Sequence, residues 1–292
     1  MKLPGLTPLL SYEEHIKGVS AKHLIRIDGQ RVHAETVGTG PRLVFVHGFT
    51  VSSFSFREMI PLLRDHFRLT LIDLNGFGKT ERPADPAAYH IVHQADLIAR
   101  VIEQTGGGPV TLIGHSFGGA LSLIAAKRHP SLIGKVFLIA PATEFGDLPW
   151  YIRPRLGRIT FYWLVRWLLS DAKRFHRLAA RSFFRSELLT EEVSEYYRRE
   201  MLVEGFAAMV PGYLISLQGN GAPRLPAEEV TQPCCIVVGT EDAIVSPKSC
   251  QRLAGSLPGC TLHMIPECGH SIPEELPEEL VRLLREFCQT AS

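Results

Sequence analysis

An α/β fold, with a mostly parallel central sheet covered by helices on both faces, follows from three observations. Apolar runs of strand length alternate with helical segments from Leu43 to the C-terminal region, the pattern of βα units. That alternation fails once, between Pro141 and about Pro226, where helical patterning continues with no clear strand. One strand-like run passes straight into a helix-like one through Gly114-His115-Ser116-Phe117-Gly118, which demands a very tight turn.

Taken in order, residues 1–22 read as a loosely attached leader. Leu24–Ile27 and Val32–Val37, joined by Asp28-Gly29, form an antiparallel hairpin, because Asp-Gly supplies the positive φ angles that a two-residue turn requires. Strands are expected at 43–46, 69–73, 110–114, 136–140, 234–239 and 261–265. A helix spans Ala120 to His129 and is stopped by Pro130, which cannot continue the backbone hydrogen-bond ladder. Residues 23–142 and 226–292 thus make the core. Residues 143–225 make a helical cap inserted after the sixth strand, whose natural place is above the strand ends.

Composition narrows the function. A chain of 292 residues with 45% hydrophobic and 21% charged side chains can bury a large core as one globular catalytic domain with an insertion. A net charge of +1 gives no general attraction for nucleic acid. The start, Met1-Lys2-Leu3-Pro4, lacks the apolar run and small-residue site of a signal peptide. No stretch approaches the roughly 18 apolar residues of a membrane span. The six cysteines (234, 235, 250, 260, 268 and 288) all fall near the C-terminal end. Cys234 and Cys235 alternate across a strand, which suits packing thiols, and no Cys/His spacing resembles a zinc site. A reduced, cytoplasmic setting is expected, with Cys268 a buried inert thiol.

The turn at 114–118 carries the chemistry. Its glycines permit crowded backbone, and the turn lifts the Ser116 hydroxyl above the sheet with a helix N-terminus aimed at whatever it attacks. A serine hydroxyl is a poor nucleophile, so a base and an orienting acid are required. Asp242 follows the apolar strand Cys234–Gly239, and His270 stands in the Gly269-His270 loop after the last strand. The chain order Ser116, Asp242, His270 is that of a strand–turn–helix serine triad. Glu144, Asp73, Asp96 and Glu241 are rival acids. Asp73 precedes a tight structural turn, Asp96 lies in a helical stretch, and Glu241 offers a longer reach than its neighbour, so Asp242 is preferred. The strand Arg42–Val46 ends in His47-Gly48-Phe49. The backbone amides of Phe49 and Phe117 are expected to form the oxyanion hole, with His47 a hydrogen-bonding anchor of the loop.

These segments, together with Asp73-Leu74-Asn75-Gly76-Phe77-Gly78 and Gly239 to Asp242, resemble the α/β-hydrolase superfamily in its capped branch, over roughly residues 24–290. The similar dehalogenases and epoxide hydrolases carry Asp where Ser116 stands, so the resemblance implies serine chemistry: esterase, lipase, lactonase, carbon–carbon bond hydrolase or acyltransferase. The carbon–carbon bond hydrolases usually have Asn before the serine and Trp after the histidine; His115 and Ser271 occupy those positions here. The expected activity is hydrolysis of a small hydrophobic ester with no cofactor and no metal ion. A non-catalytic ligand receptor on the same fold is the alternative of a different class, and such receptors often lose a triad member.

The cap departs from the average composition. Between Trp150 and Arg185 stand Arg153, Arg155, Arg158, Arg166, Lys173, Arg174, Arg177, Arg181 and Arg185 against the single acid Asp171, interleaved with Phe161, Tyr162, Trp163 and Trp167. Cap helices packing on the core, with arginines reaching to water, explain this pattern; contact with a membrane surface is the second reading. Nucleic acid is excluded because no binding motif accompanies the charge. Trp163, Phe206, Met209 and Tyr213 are the candidate pocket residues.

Overall fold

The computed structural model describes residues 7–143, 155–206, 209, 212, 213 and 227–289. Asp28 and Gly29 adopt φ of 50° and 83°, and the strands they join pair antiparallel as β1 (Leu24–Ile27) and β2 (Gln30–Val37), with Ile27 opposite Gln30. β2 pairs antiparallel with β4 (Arg68–Ile72). From there every neighbouring pair is parallel, through β3 (Arg42–Val46), β5 (Val110–His115), β6 (Ile133–Ile139), β7 (Cys234–Gly239) and β8 (Thr261–Ile265). The sheet order is β1-β2-β4-β3-β5-β6-β7-β8.

The order reverses between β3 and β5. In open sheets of this kind the crevice outside the strand ends at such a reversal is where ligands bind. The loops leaving β3 and β5 are His47-Gly48-Phe49 and the Ser116 turn. Topology alone therefore puts the two loops singled out in the sequence side by side.

The strands lie where the sequence predicts them, apart from their ends. β6 starts at Ile133, three residues before the expected Val136. Lys135 disguised it: the side chain is buried, and its ammonium donates to the carbonyls of Phe287 and Cys288 at 3.3 and 3.1 Å.

Helices flank the sheet. α1 (Ile91–Gln104) buries Ile91, Ala95, Ile98 and Ile102 along one stripe, the spacing of an amphipathic surface helix. α2 (Phe117–Arg128) is buried on all sides from Phe117 to Ala126, as befits the central helix behind the Ser116 turn. It starts three residues before the expected Ala120, because Gly118 and Gly119 are helical. A Cβ at Gly118 would strike the carbonyl oxygen of Val46, so glycine is what lets this helix approach β3.

Between β6 and β7 come α3 (Arg155–Leu169), α4 (Ala172–Ala179) and α5 (Glu191–Met201). Asp171 and Thr190 cap the latter two, accepting from the amides of Arg174 (2.7 Å) and Val193 (3.2 Å); each such cap contributes about 1 kcal/mol. After β7 come α6 (Pro247–Ser256) and α7 (Pro277–Gln289).

Two expectations need correction. The leader, where described, is tied down on both sides. The Leu10 amide donates to the Leu202 carbonyl (3.1 Å) and its carbonyl accepts from the Glu204 amide (2.9 Å). The Tyr12 hydroxyl and His15 Nε2 donate to the carbonyls of Lys79 (2.8 Å) and Gly78 (2.9 Å). The segment straps the cap helices to the core. Arg166, counted among the surface charges of the cap, is instead buried and donates to the Thr7 carbonyl at 2.7 Å. Among the described residues no helix is long and apolar enough to cross a membrane.

Candidate active site

Ser116 sits between the last residue of β5 and the first of α2 with φ 52° and ψ −117°, a conformation that an L-residue adopts only under strain. The surrounding backbone holds it there. Its amide donates to the Ile139 carbonyl at 2.8 Å, and its carbonyl accepts from Gly119 (2.9 Å) and Ala142 (3.0 Å). At Gly114 a Cβ would lie 2.5 Å from the Gly118 carbonyl oxygen, so the first glycine of the motif is a steric necessity.

His270 and Asp242 meet across two loops. His270 Nδ1 lies 2.7 Å from Asp242 Oδ2, with both side chains buried. The carboxylate is itself fixed, since Oδ1 accepts from the amides of Ile244 and Val245, each at 2.8 Å. A ring that donates Nδ1–H to a carboxylate leaves Nε2 as the nitrogen able to take a proton. Ser116 and His270 line one cavity of about 940 Å³, within the range of small-molecule sites.

Three of the four rival acids are engaged or placed elsewhere. Asp73 is buried and accepts from the amides of Ser53 (2.8 Å) and Lys79 (2.9 Å), with His33 Nδ1 2.9 Å away. Burial would raise its pKa, but His33, His47 and the Lys79 amide outweigh that and hold it far below the usual carboxylate range. Asp96 pairs with Arg128 and His129 at 2.8 Å. Glu241 is exposed beside Thr240, and Glu144 lies outside the described residues. His47 anchors its loop as expected: Nδ1 donates to the Gly48 carbonyl (2.7 Å) and Nε2 accepts from the Leu74 amide (3.0 Å). Cys268 is buried, and burial pushes its thiol up to about 12, which leaves it unreactive.

Of the pocket candidates, Phe206 lines the cavity and three others do not. Trp163 is 37% exposed on the outside of α3. The face of that helix turned to the cavity carries Val165, Leu168 and Leu169 instead. Met209 is buried against Gly76. Tyr213 is fully buried, with its hydroxyl donating to the Asn75 carbonyl at 2.6 Å. Its ring stands edge-on to Phe49 and to Phe117, at centroid distances of 5.8 and 5.5 Å. Tyr213 therefore clamps the two residues whose amides were expected to face an oxyanion, from behind the cavity wall. Phe49 itself lines the cavity, and Phe117 opens α2.

Three supports of the His270 loop carry no signal in the sequence. His115 is buried; burial first, and the neighbouring His270 second, lower its pKa to about 3. Neutral, it donates from Nε2 to the His270 carbonyl at 3.0 Å, with the two rings 4.9 Å apart. From the cap, the Ser182 carbonyl accepts from the amides of His270 (2.8 Å) and Ser271 (3.0 Å). The Glu275 carboxylate joins the same two segments, accepting from Gly269 (3.0 Å) on one side and from Phe184 (2.9 Å) and Arg185 (3.2 Å) on the other. Cap and histidine loop are stapled together.

The remaining surface of the cavity is mostly apolar, from Phe175, Phe183, Leu189 and Met201. Its polar end is Glu274, which accepts from Arg57 (2.5 Å) and Tyr197 (3.1 Å).

Comparison with known proteins agrees with this architecture. A family model of the alpha/beta hydrolase fold matches residues 41–277. The uncharacterized hydrolase YugF of Bacillus subtilis is 29% identical over 284 residues, covering 93% of this chain and 99% of that one. Among solved structures, the epoxide hydrolase CorEH superposes with a TM-score of 0.77 at 21% identity, over 91% of this chain and 97% of that one. An esterase from Exiguobacterium antarcticum superposes with a TM-score of 0.75 at 20% identity, over 91% and 98%.

Proposed function

The chain belongs to the α/β-hydrolase family, and on that premise we propose that it is a cofactor-independent serine hydrolase that cleaves hydrophobic carboxylic esters through an acyl-enzyme. The observation that carries this reading is the His270–Asp242 contact of 2.7 Å on the wall of an apolar cavity that also exposes Ser116. Relatives in the family include epoxide hydrolases; the nucleophile position, which is aspartate in that chemistry, is Ser116 here.

In this mechanism Ser116 Oγ attacks the ester carbonyl carbon while His270 Nε2 takes the hydroxyl proton. The carbonyl π-pair moves onto oxygen, where the amides of Phe49 and Phe117 receive it. The tetrahedral adduct then collapses, the bond to the alkoxy oxygen breaks, and His270 returns its proton to the leaving alcohol. Asp242 keeps Nδ1 protonated and stabilises the imidazolium between the two transfers. A water deprotonated by the same Nε2 attacks the acyl-enzyme, and Ser116 leaves as the free hydroxyl. Val165, Leu168, Phe175 and Phe206 favour an apolar acyl or alcohol group, each buried methylene contributing about 0.8 kcal/mol, or roughly a fourfold gain in kcat/KM.

The test combines labelling with kinetics. A fluorophosphonate should label wild type at Ser116 and leave Ser116→Ala unmodified, and hydrolysis of p-nitrophenyl esters should rise from acetate through butyrate. Labelling without turnover of any ester would point to acyl transfer to another acceptor. Tight ligand binding with neither labelling nor turnover would replace the enzyme by a receptor.

A further inference from the structure

Away from the cavity, the hairpin gathers a second group of chemically active side chains. His33 and Glu35 are two residues apart in β2, so both project from the same face of the strand. Leu24 of β1 pairs with His33, which brings His23, the last residue of the short 3-10 turn Ala21–His23, alongside. The spacing 23, 33, 35 matches no metal motif; the register of the hairpin assembles the group. One ligand atom from each of the three lies within 4.8 Å of the others, and the two imidazole rings meet edge to face at 6.3 Å.

We propose that His23, His33 and Glu35 bind one divalent transition-metal ion of the zinc class. Two imidazoles and a carboxylate form a donor set suited to Zn²⁺. In a tetrahedral zinc site the donor atoms stand about 3.3 Å apart, so closing from 4.8 Å takes side-chain rotation and no movement of β2. His33 is the pre-set member. It is buried, and its Nδ1 faces Asp73 Oδ2 at 2.9 Å, which leaves Nε2 for the ion. A carboxylate behind the far nitrogen of a ligating histidine fixes the ring and raises its basicity. His23 and Glu35 are only half-buried, so water has access to complete the coordination. None of the three lines the 940 Å³ cavity, so the ion takes no part in ester cleavage. Its role is to pin the 3-10 turn to the sheet, on the imidazole that braces Asp73 and the 73–79 loop.

The experiment is titration of the full-length, metal-stripped, reduced protein with Zn²⁺, followed by calorimetry and by thermal unfolding. One ion per chain should bind, and the melting temperature should rise by about 5 °C at a hundredfold excess over Kd. His23→Ala and Glu35→Gln should each weaken binding at least tenfold and abolish the thermal shift, while metal-free ester hydrolysis stays at the wild-type rate. His33 is left intact because its loss would also unbalance Asp73. X-ray absorption of the bound ion should show only nitrogen and oxygen neighbours. No stoichiometric binding, wild-type affinity in either variant, or sulfur in the first coordination sphere would overturn the assignment.

Discussion

Glu200, in the last turn of α5, is a buried carboxylic acid with an unusual environment. It is 5% exposed. Burial, and next the Asp73 carboxylate, push its pKa from 4.5 to about 7, against partial relief from Ser52, Lys79 and Tyr196. The folded protein therefore holds a proton that the unfolded chain releases at about pH 4.5. Stability is fully present below pH 4.5, drains as pH rises through the window from 4.5 to 7, and is flat above it. At 1.36 kcal/mol per pKa unit the whole window is worth about 3 kcal/mol. Glu200→Gln mimics the protonated acid at every pH. Urea unfolding of both proteins, extrapolated to water at pH 5 and pH 8, should show the variant gaining about 2 to 3 kcal/mol on wild type between the two conditions. All other titrating groups cancel in that comparison. A difference between the proteins that does not change with pH would refute the reasoning, whatever its absolute size.

The other expectations concern the site. Asp242→Asn should lower kcat by roughly 10³- to 10⁴-fold, because the amide holds the ring in the wrong tautomer, whereas Glu144→Gln should leave kcat near wild type; the reverse order in side-by-side kinetics would transfer the acid. Glu275→Ala removes an acceptor shared by three backbone amides, each bond to a charged group being worth about 1.5–3 kcal/mol. The melting temperature should fall, the rate with it, and the pH profile of kcat should shift as His270 loosens; lowered stability with an unmoved profile would make the staple purely structural. Phe206→Ala should flatten the rise of kcat/KM with acyl length, and Trp163→Ala should leave it intact, the pair being read from the same ester series.

What the sequence revealed is what one-dimensional patterns encode. Apolar runs located the central strands β3 to β7, because a strand buried on both faces needs a nearly unbroken apolar stretch. The Asp28-Gly29 turn located the β1–β2 hairpin, and Lys135 blurred one end because a buried ammonium looks like a surface residue until its carbonyl partners are known. The Ser116 turn and the Gly269-His270 loop were legible because their backbone geometry constrains residue identity. The cap was harder. An apolar stripe on a helix shows that the face is buried without showing against what, so Trp163, Met209 and Tyr213 were expected in the pocket when only Phe206 reaches it. His115 and Glu275 were missed for a different reason: each acts on backbone groups, and a backbone partner leaves no trace in residue type.

The strap formed by residues 7–15 gives the cap a third tie to the core, hydrogen-bonded where the other two, the chain entering and leaving it, are covalent. Lifting the α5 end of the cap must break the pair of bonds between Leu10 and the backbone of Leu202 and Glu204, or carry the strap along and break those of Tyr12 and His15 to the 78–79 loop. Any lifting of that end would therefore be coupled to detachment of the N-terminal segment, from the cap or from the 78–79 loop. The amides of Leu10 and Glu204 are its built-in reporters, exchanging with solvent deuterium only as often as this side of the lid comes free.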